Sequence, residues 1–74
     1  MTPPFVYEQE FSKSEDDWDA KSKEAADAAR NFGLEADWAD KPDNPNVRVV
    51  RAFTDNAMTA SWFAIREEAF RRVE

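Results

Sequence analysis

Six carboxylates, Glu8, Glu10, Glu15, Asp16, Asp17 and Asp19, fall within residues 8–19 against a single cation, Lys13. Carboxylates at this density can do three kinds of chemistry. A pair can run general acid–base catalysis. A cluster can hold a hard cation such as Ca²⁺. A field of them can receive the Lys and Arg side chains of a partner protein. The acidity is also lopsided. Residues 1–46 carry 12 acidic and 5 basic side chains, and residues 47–74 carry 4 and 5, for a total of −6.

The first two uses find little support in the rest of the chain. There is no His and no Cys. That excludes imidazole and thiolate ligands, Ser-His and Cys-His catalysis, disulfides and a histidine pH switch. Asp37, Asp40, Asp43, Asn44 and Asn46 gather near one loop. They lack the EF-hand spacing and the glycine its turn needs. Gly33 is the one glycine, so no Gly-rich phosphate loop can form. A 74-residue chain also offers little volume for a deep pocket. The expectation is a non-enzyme with no cofactor and no metal.

The third use remains. The partner-binding set expected from the sequence is Glu8, Glu10, Asp16, Asp17, Asp19, Glu24, Asp27 and Asp37, with Trp38 as an apolar anchor. Trp18 stands between Asp17 and Asp19, so an exposed ring there would also meet an Arg-rich partner by stacking and cation–π contact. The plainer reading of the same residues is a solvated helix face with acids at its positive end. The acidic field repels nucleic acid directly. A rival surface is basic and aromatic: Arg48, Arg51, Arg66, Arg71 and Arg72 near Phe53, Trp62, Phe63 and Phe70. Pairing of those arginines with Glu67, Glu68 and the acidic half accounts for them more simply.

The elements that must position these residues follow from periodicity. Phe5, Tyr7 and Phe11 alternate with Glu8 and Glu10, predicting a strand over 5–11 with one buried face. Ser12 with Glu15, and Ser14 with Asp17, fit the start of a helix. Gly33 fits its end. Between them Trp18, Ser22, Ala25, Ala29 and Phe32 form one stripe, predicting an amphipathic helix over 14–32. At about 19 residues it would be roughly 28 Å long, the length of about eight base pairs. Residues 34–39 alternate apolar with acid and read as a short strand, 40–46 as a loop on their turn chemistry, and 47–53 as a strand. In that strand Val47, Val49 and Phe53 share one face, and Arg48 and Val50 the other. Residues 56–73 read as a helix with a core stripe of Met58, Trp62, Ile65, Ala69 and Val73, flanked by Phe63 and Phe70. A hairpin turning at Asp55-Asn56, with a short helix from Arg66, is the alternative. The fold class is α+β in one small domain spanning 1–74: a sheet of two to four strands packed on a long helix from the N-terminal half.

Ten aromatic residues in so short a chain exceed what a small core needs, and any surplus should anchor a partner. No apolar run reaches the roughly 18 residues that span a bilayer, so a cytoplasmic protein is expected. In size, acidity and want of catalytic residues, the chain resembles the small inhibitors encoded by phages and mobile elements, such as anti-CRISPR proteins and other DNA mimics. That resemblance implies an inhibitor of a basic nucleic-acid-binding protein or complex in a bacterial host cell. A small homodimeric or accessory subunit, with Phe63 and Phe70 at its interface, is the alternative.

Overall fold

The alternation of Phe5, Tyr7 and Phe11 with acids is realised as β1 (Phe5–Ser12), in a computed structural model that describes residues 4–73. Tyr7 and Phe11 are buried on one side of the strand, and Glu8 and Glu10 take the other. The chain then turns rather than entering a helix. Glu15 N donates to Ser12 O and Ser14 N to Ser12 Oγ, so Ser12 closes a turn instead of a capping box. Helix α1 (Trp18–Asn31) starts four residues later than its sequence signals suggest. Its N-cap, Asp17, has φ 61° and makes no side-chain cap bond.

The C-terminus of α1 follows the sequence closely. Gly33 takes φ +96°, Leu34 N donates to Ala29 O and Gly33 N to Arg30 O. This is the Schellman pattern, which needs the left-handed conformation glycine adopts freely. It buries Leu34 against the core.

Strand β2 (Glu35–Lys41) and strand β3 (Asn44–Thr54) form a hairpin whose turn is Pro42-Asp43 alone, with Lys41 opposite Asn44. Most of the expected 40–46 loop is therefore strand. β3 lies between two neighbours, pairing β2 on one side and β1 on the other, and both partners lengthen it. Its buried residues are Val50 and Ala52, so Val47, Val49 and Phe53 occupy the side away from the core.

Helix α2 (Ala57–Arg66) is capped by Asn56, whose side chain accepts from Thr59 N at 3.0 Å. The helix prediction holds at its start and fails at its end. Glu67 and Glu68 fall at the negative pole of the helix dipole, where carboxylates are unfavourable. The chain turns there, buries Phe70 and forms β4 (Arg71–Val73) against β1. The alternative hairpin at Asp55-Asn56 does not form.

The sheet order is β2-β3-β1-β4 with antiparallel pairs throughout. With the element order β-α-β-β-α-β this is the split β-α-β, ferredoxin-like arrangement. Both helices pack on the side that buries Tyr7, Phe11, Val50 and Ala52. The core runs between layers: Phe63 meets Tyr7, Phe32 and Phe70 at ring-centroid distances of 5.3, 5.9 and 4.9 Å. Full burial of such a ring contributes about 2–3 kcal/mol.

The expected core stripe of α2 is overturned. Met58, Trp62 and Ile65 are 72%, 58% and 65% exposed, and Val73 37%. Phe63 and Ala60 face the sheet instead. Nearly every position of α2 is apolar or small, so periodicity finds a stripe on either side and cannot say which turns inward.

Candidate functional site

Side-chain alternation splits the sequence-predicted carboxylates between two sides of the molecule. Glu8 and Glu10 on β1 and Asp37 on β2 lie on the sheet face that neither helix covers. Asp16, Asp17, Asp19, Glu24 and Asp27 lie on α1 and its lead-in, across the sheet from them. Trp38 also sits on the helix side, opposite Val50 and half-buried, so it is no anchor for a ligand on the open face.

On the helix side much of the charge is neutralised internally. Arg48 projects from β3 beneath α1 with only 15% of its side chain exposed. Its Nη1 donates to Asp19 Oδ1 at 2.7 Å and to Ser22 Oγ at 3.0 Å. Its guanidinium lies 4.5 Å from the Trp18 ring centre and 5.7 Å from that of Trp38. The two indoles thus take up a cation of this chain rather than one from a partner. Lys23 binds the other Asp19 oxygen at 2.9 Å. The hydrogen bonds from Lys23 and then Arg48 hold the Asp19 carboxyl below its ordinary value of 3.8. Asp27 pairs with Arg30 at 3.3 Å, and Arg30 also donates to Ala36 O at 2.8 Å, tying α1 to β2. Among the described residues, Asp16, Asp17 and Glu24 make no ion pair.

The open face is ordered by strand register. Asp37, Arg51, Glu8 and Arg71 lie in one row across the four strands, alternating in sign. Arg51 donates through Nε and Nη2 to Glu8 Oε2 at 3.0 and 2.6 Å. In the next row Glu10 meets Lys41 at 3.1 Å and Arg71 at 4.0 Å. A hollow of about 470 Å³ opens there, lined by Glu8, Glu10, Asp37, Asp40 and Asp43 against Lys41 and Arg51. The Asp40 side chain, opposite Arg48, turns to the helix side, where Lys13 holds it at 2.8 Å. Among the described residues Asp37 and Asp43 make no ion pair, so the hollow keeps a surplus of negative charge.

Sequence reasoning placed Glu8, Glu10 and Asp37 but missed that Asp43 joins them. The hairpin that brings Asp43 round was hidden in a stretch of Pro, Asn and Asp that reads as loop. The five C-terminal arginines are dispersed: Arg48 lies under α1, Arg51 and Arg71 on the open face, Arg66 on α2, and Arg72 over the Phe5 ring at 5.1 Å. They form no continuous basic surface. Among the described residues no group of three His, Cys, Asp or Glu side chains is gathered to hold a metal ion. No helix among them is long and apolar enough to cross a membrane. No protein-family model matches the chain, and comparison with curated proteins and with solved structures finds no similar one.

Proposed function

We propose that the chain is a non-enzymatic inhibitor that occupies a basic, nucleic-acid-handling protein through the open face of its sheet. The observation that supports this reading is the carboxylate-lined hollow on a sheet face that no helix covers. Four carboxylates, Glu8, Glu10, Asp37 and Asp43, stand there against Lys41 and Arg51, and each cation is already engaged by a glutamate. An incoming Arg or Lys therefore finds Asp37 and Asp43 free, with Glu8 and Glu10 able to exchange partners.

The same face in RNA-binding sheets of this kind presents aromatic rings to bases. Here the central strand β1 presents Glu8 and Glu10 beside Val49 and Phe53 of β3, and those carboxylates repel phosphate and attract what binds phosphate. The reading is thus narrower than the sequence expectation. The carboxylates of α1 lie on the other side, and a 14-residue helix is roughly 21 Å long, shorter than a rod spanning eight base pairs. Inhibition of the DNA-mimic type, which the compositional resemblance implies, would use the sheet.

Charge reversal separates the two sides. Affinity capture from a bacterial lysate with the wild type, Asp37→Lys and Glu24→Lys is the test. The proposal expects a basic partner that Asp37→Lys loses and Glu24→Lys retains, with association slowing steeply as salt is added. A partner lost equally with both variants, or one held without regard to salt, contradicts it.

A further inference from the structure

Helix α2 is not finished as a water-facing helix. Its ten residues include one charge, Arg66, and its outward side shows Met58, Trp62 and Ile65 at spacings of 4 and 3. A helix apolar on every side is normally a buried helix. Trp62 is also the exposed member of the aromatic set, the others described being buried or half-buried. We infer that this stripe docks against the same stripe of a second copy of the chain, the two α2 helices running antiparallel about a two-fold axis.

Three features favour a second copy. The first is surface chemistry. Among the described residues the remaining large exposed apolar side chain is Val73; Val47, Val49 and Phe53 on the open sheet face are half-buried and interleaved with Glu8, Glu10 and Asp37, so the best apolar match for α2 is α2 itself. That makes the contact isologous, as closed dimers are. The second is charge. The molecule carries −6, yet α2 itself contains no acid, and the acids that flank it, Asp55 before and Glu67 and Glu68 after, are confined to its two ends. An antiparallel pairing brings Arg66 of one copy toward Asp55, which precedes α2 in the other, and sets the helix dipoles head to tail. The third is size: a domain of 74 residues without disulfides gains from association. The stripe exposes roughly 400 Å² per copy, about half of one side of a standard interface, which makes the contact a weak, reversible one. The interface is therefore not the Phe63 and Phe70 surface expected from the sequence, since both rings are core.

Sedimentation equilibrium of the full chain from roughly 1 μM to 1 mM is the experiment, with near-UV dichroism as a check on folding. The expected result is a shift from 8.5 kDa toward twice that mass. Added salt should tighten the association by screening the repulsion between two copies of like net charge, the reverse of its effect on a basic partner at the sheet. Ile65→Glu should weaken the dimer at least tenfold while leaving the near-UV spectrum in place. Arg66→Asp should weaken it severalfold, and Arg66→Asp with Asp55→Arg should restore it. A chain that stays at monomer mass at the highest concentration overturns the inference, whatever other protein it captures. So does a dimer indifferent to Ile65→Glu.

Discussion

The two helices of this chain lie on the same side of one sheet and meet it in opposite ways. α1 approaches with small residues, Ser22, Ala26 and Ala29 buried, and turns Lys21, Lys23, Glu24, Asp27 and Arg30 to water. Its anchor is polar: Arg48 beneath it, bound to Asp19 and Ser22 between two indoles. α2 inserts one large ring, Phe63, into an aromatic cluster and leaves an apolar stripe outside. The difference teaches which surfaces are complete. A helix whose outer face is charged is finished toward water, whereas one whose outer face is Met, Trp and Ile leaves apolar surface for a partner to cover.

The largest effect should come from the inner side of α2. Phe63→Ala removes a fully buried ring at the centre of the aromatic cluster and should cost about 3–5 kcal/mol, most of the stability of a domain this small. Trp62→Ala, one residue away and exposed, should change monomer stability by no more than about 0.5 kcal/mol. Urea denaturation followed by circular dichroism reads both. Equal costs would mean that α2 is rolled the other way.

The anchor of α1 comes next. Arg48→Ala should cost about 1–3 kcal/mol, through the lost hydrogen bonds, the lost guanidinium contacts with Trp18 and Trp38 and the loss of a side chain that is 15% exposed. Arg48→Met keeps the stem and should recover part of that loss. If Met is as damaging as Ala, the indoles contribute nothing through packing.

Helix starts give a smaller contrast. Asn56→Ala removes the one side-chain cap of α2 and should cost about 1 kcal/mol. Asp17 caps α1 with no side-chain bond and sits at positive φ. Asp17→Gly should therefore leave stability unchanged or raise it by about 0.5 kcal/mol. A loss comparable to that of Asn56→Ala would show that the Asp17 carboxylate supports the helix dipole more than its backbone strains it.

The smallest effect is on acid stability. Because Lys23 and Arg48 lower the Asp19 pKa in the fold, Asp19 contributes stability above its ordinary value of 3.8. That contribution is lost as pH falls through the lower folded value. Asp19→Asn should flatten the stability profile in this acid window and leave its slope near neutrality alone. A wild-type slope persisting in the variant below pH 3.8 would assign it to other carboxylates.

Much of this architecture is legible in the residues. The alternation in β1, the alanine stripe of α1 and the glycine that ends it each have a local physical cause, and each is found where the pattern puts it. The α+β class follows from them. What escapes is tertiary. Arg48 reads as a surface base because nothing local reveals that Asp19 and Ser22, more than twenty residues away, will bind its Nη1, while its buried Nε stays without a partner. The acids of residues 8–43 read as one field because sequence spacing does not show which side of a sheet a strand residue takes. Only the register of β1, β2 and β3 separates Glu8, Glu10 and Asp37 from the carboxylates of α1.

That separation is the central claim, and titrating labelled chain with an oligo-arginine peptide tests it most directly. Amide shifts recorded by NMR should move at Glu8, Glu10, Asp37 and Asp43, with Asp16 and Glu24 barely displaced. Shifts concentrated at Asp16 and Glu24, or spread evenly over every carboxylate, would contradict the assignment of binding to the open sheet.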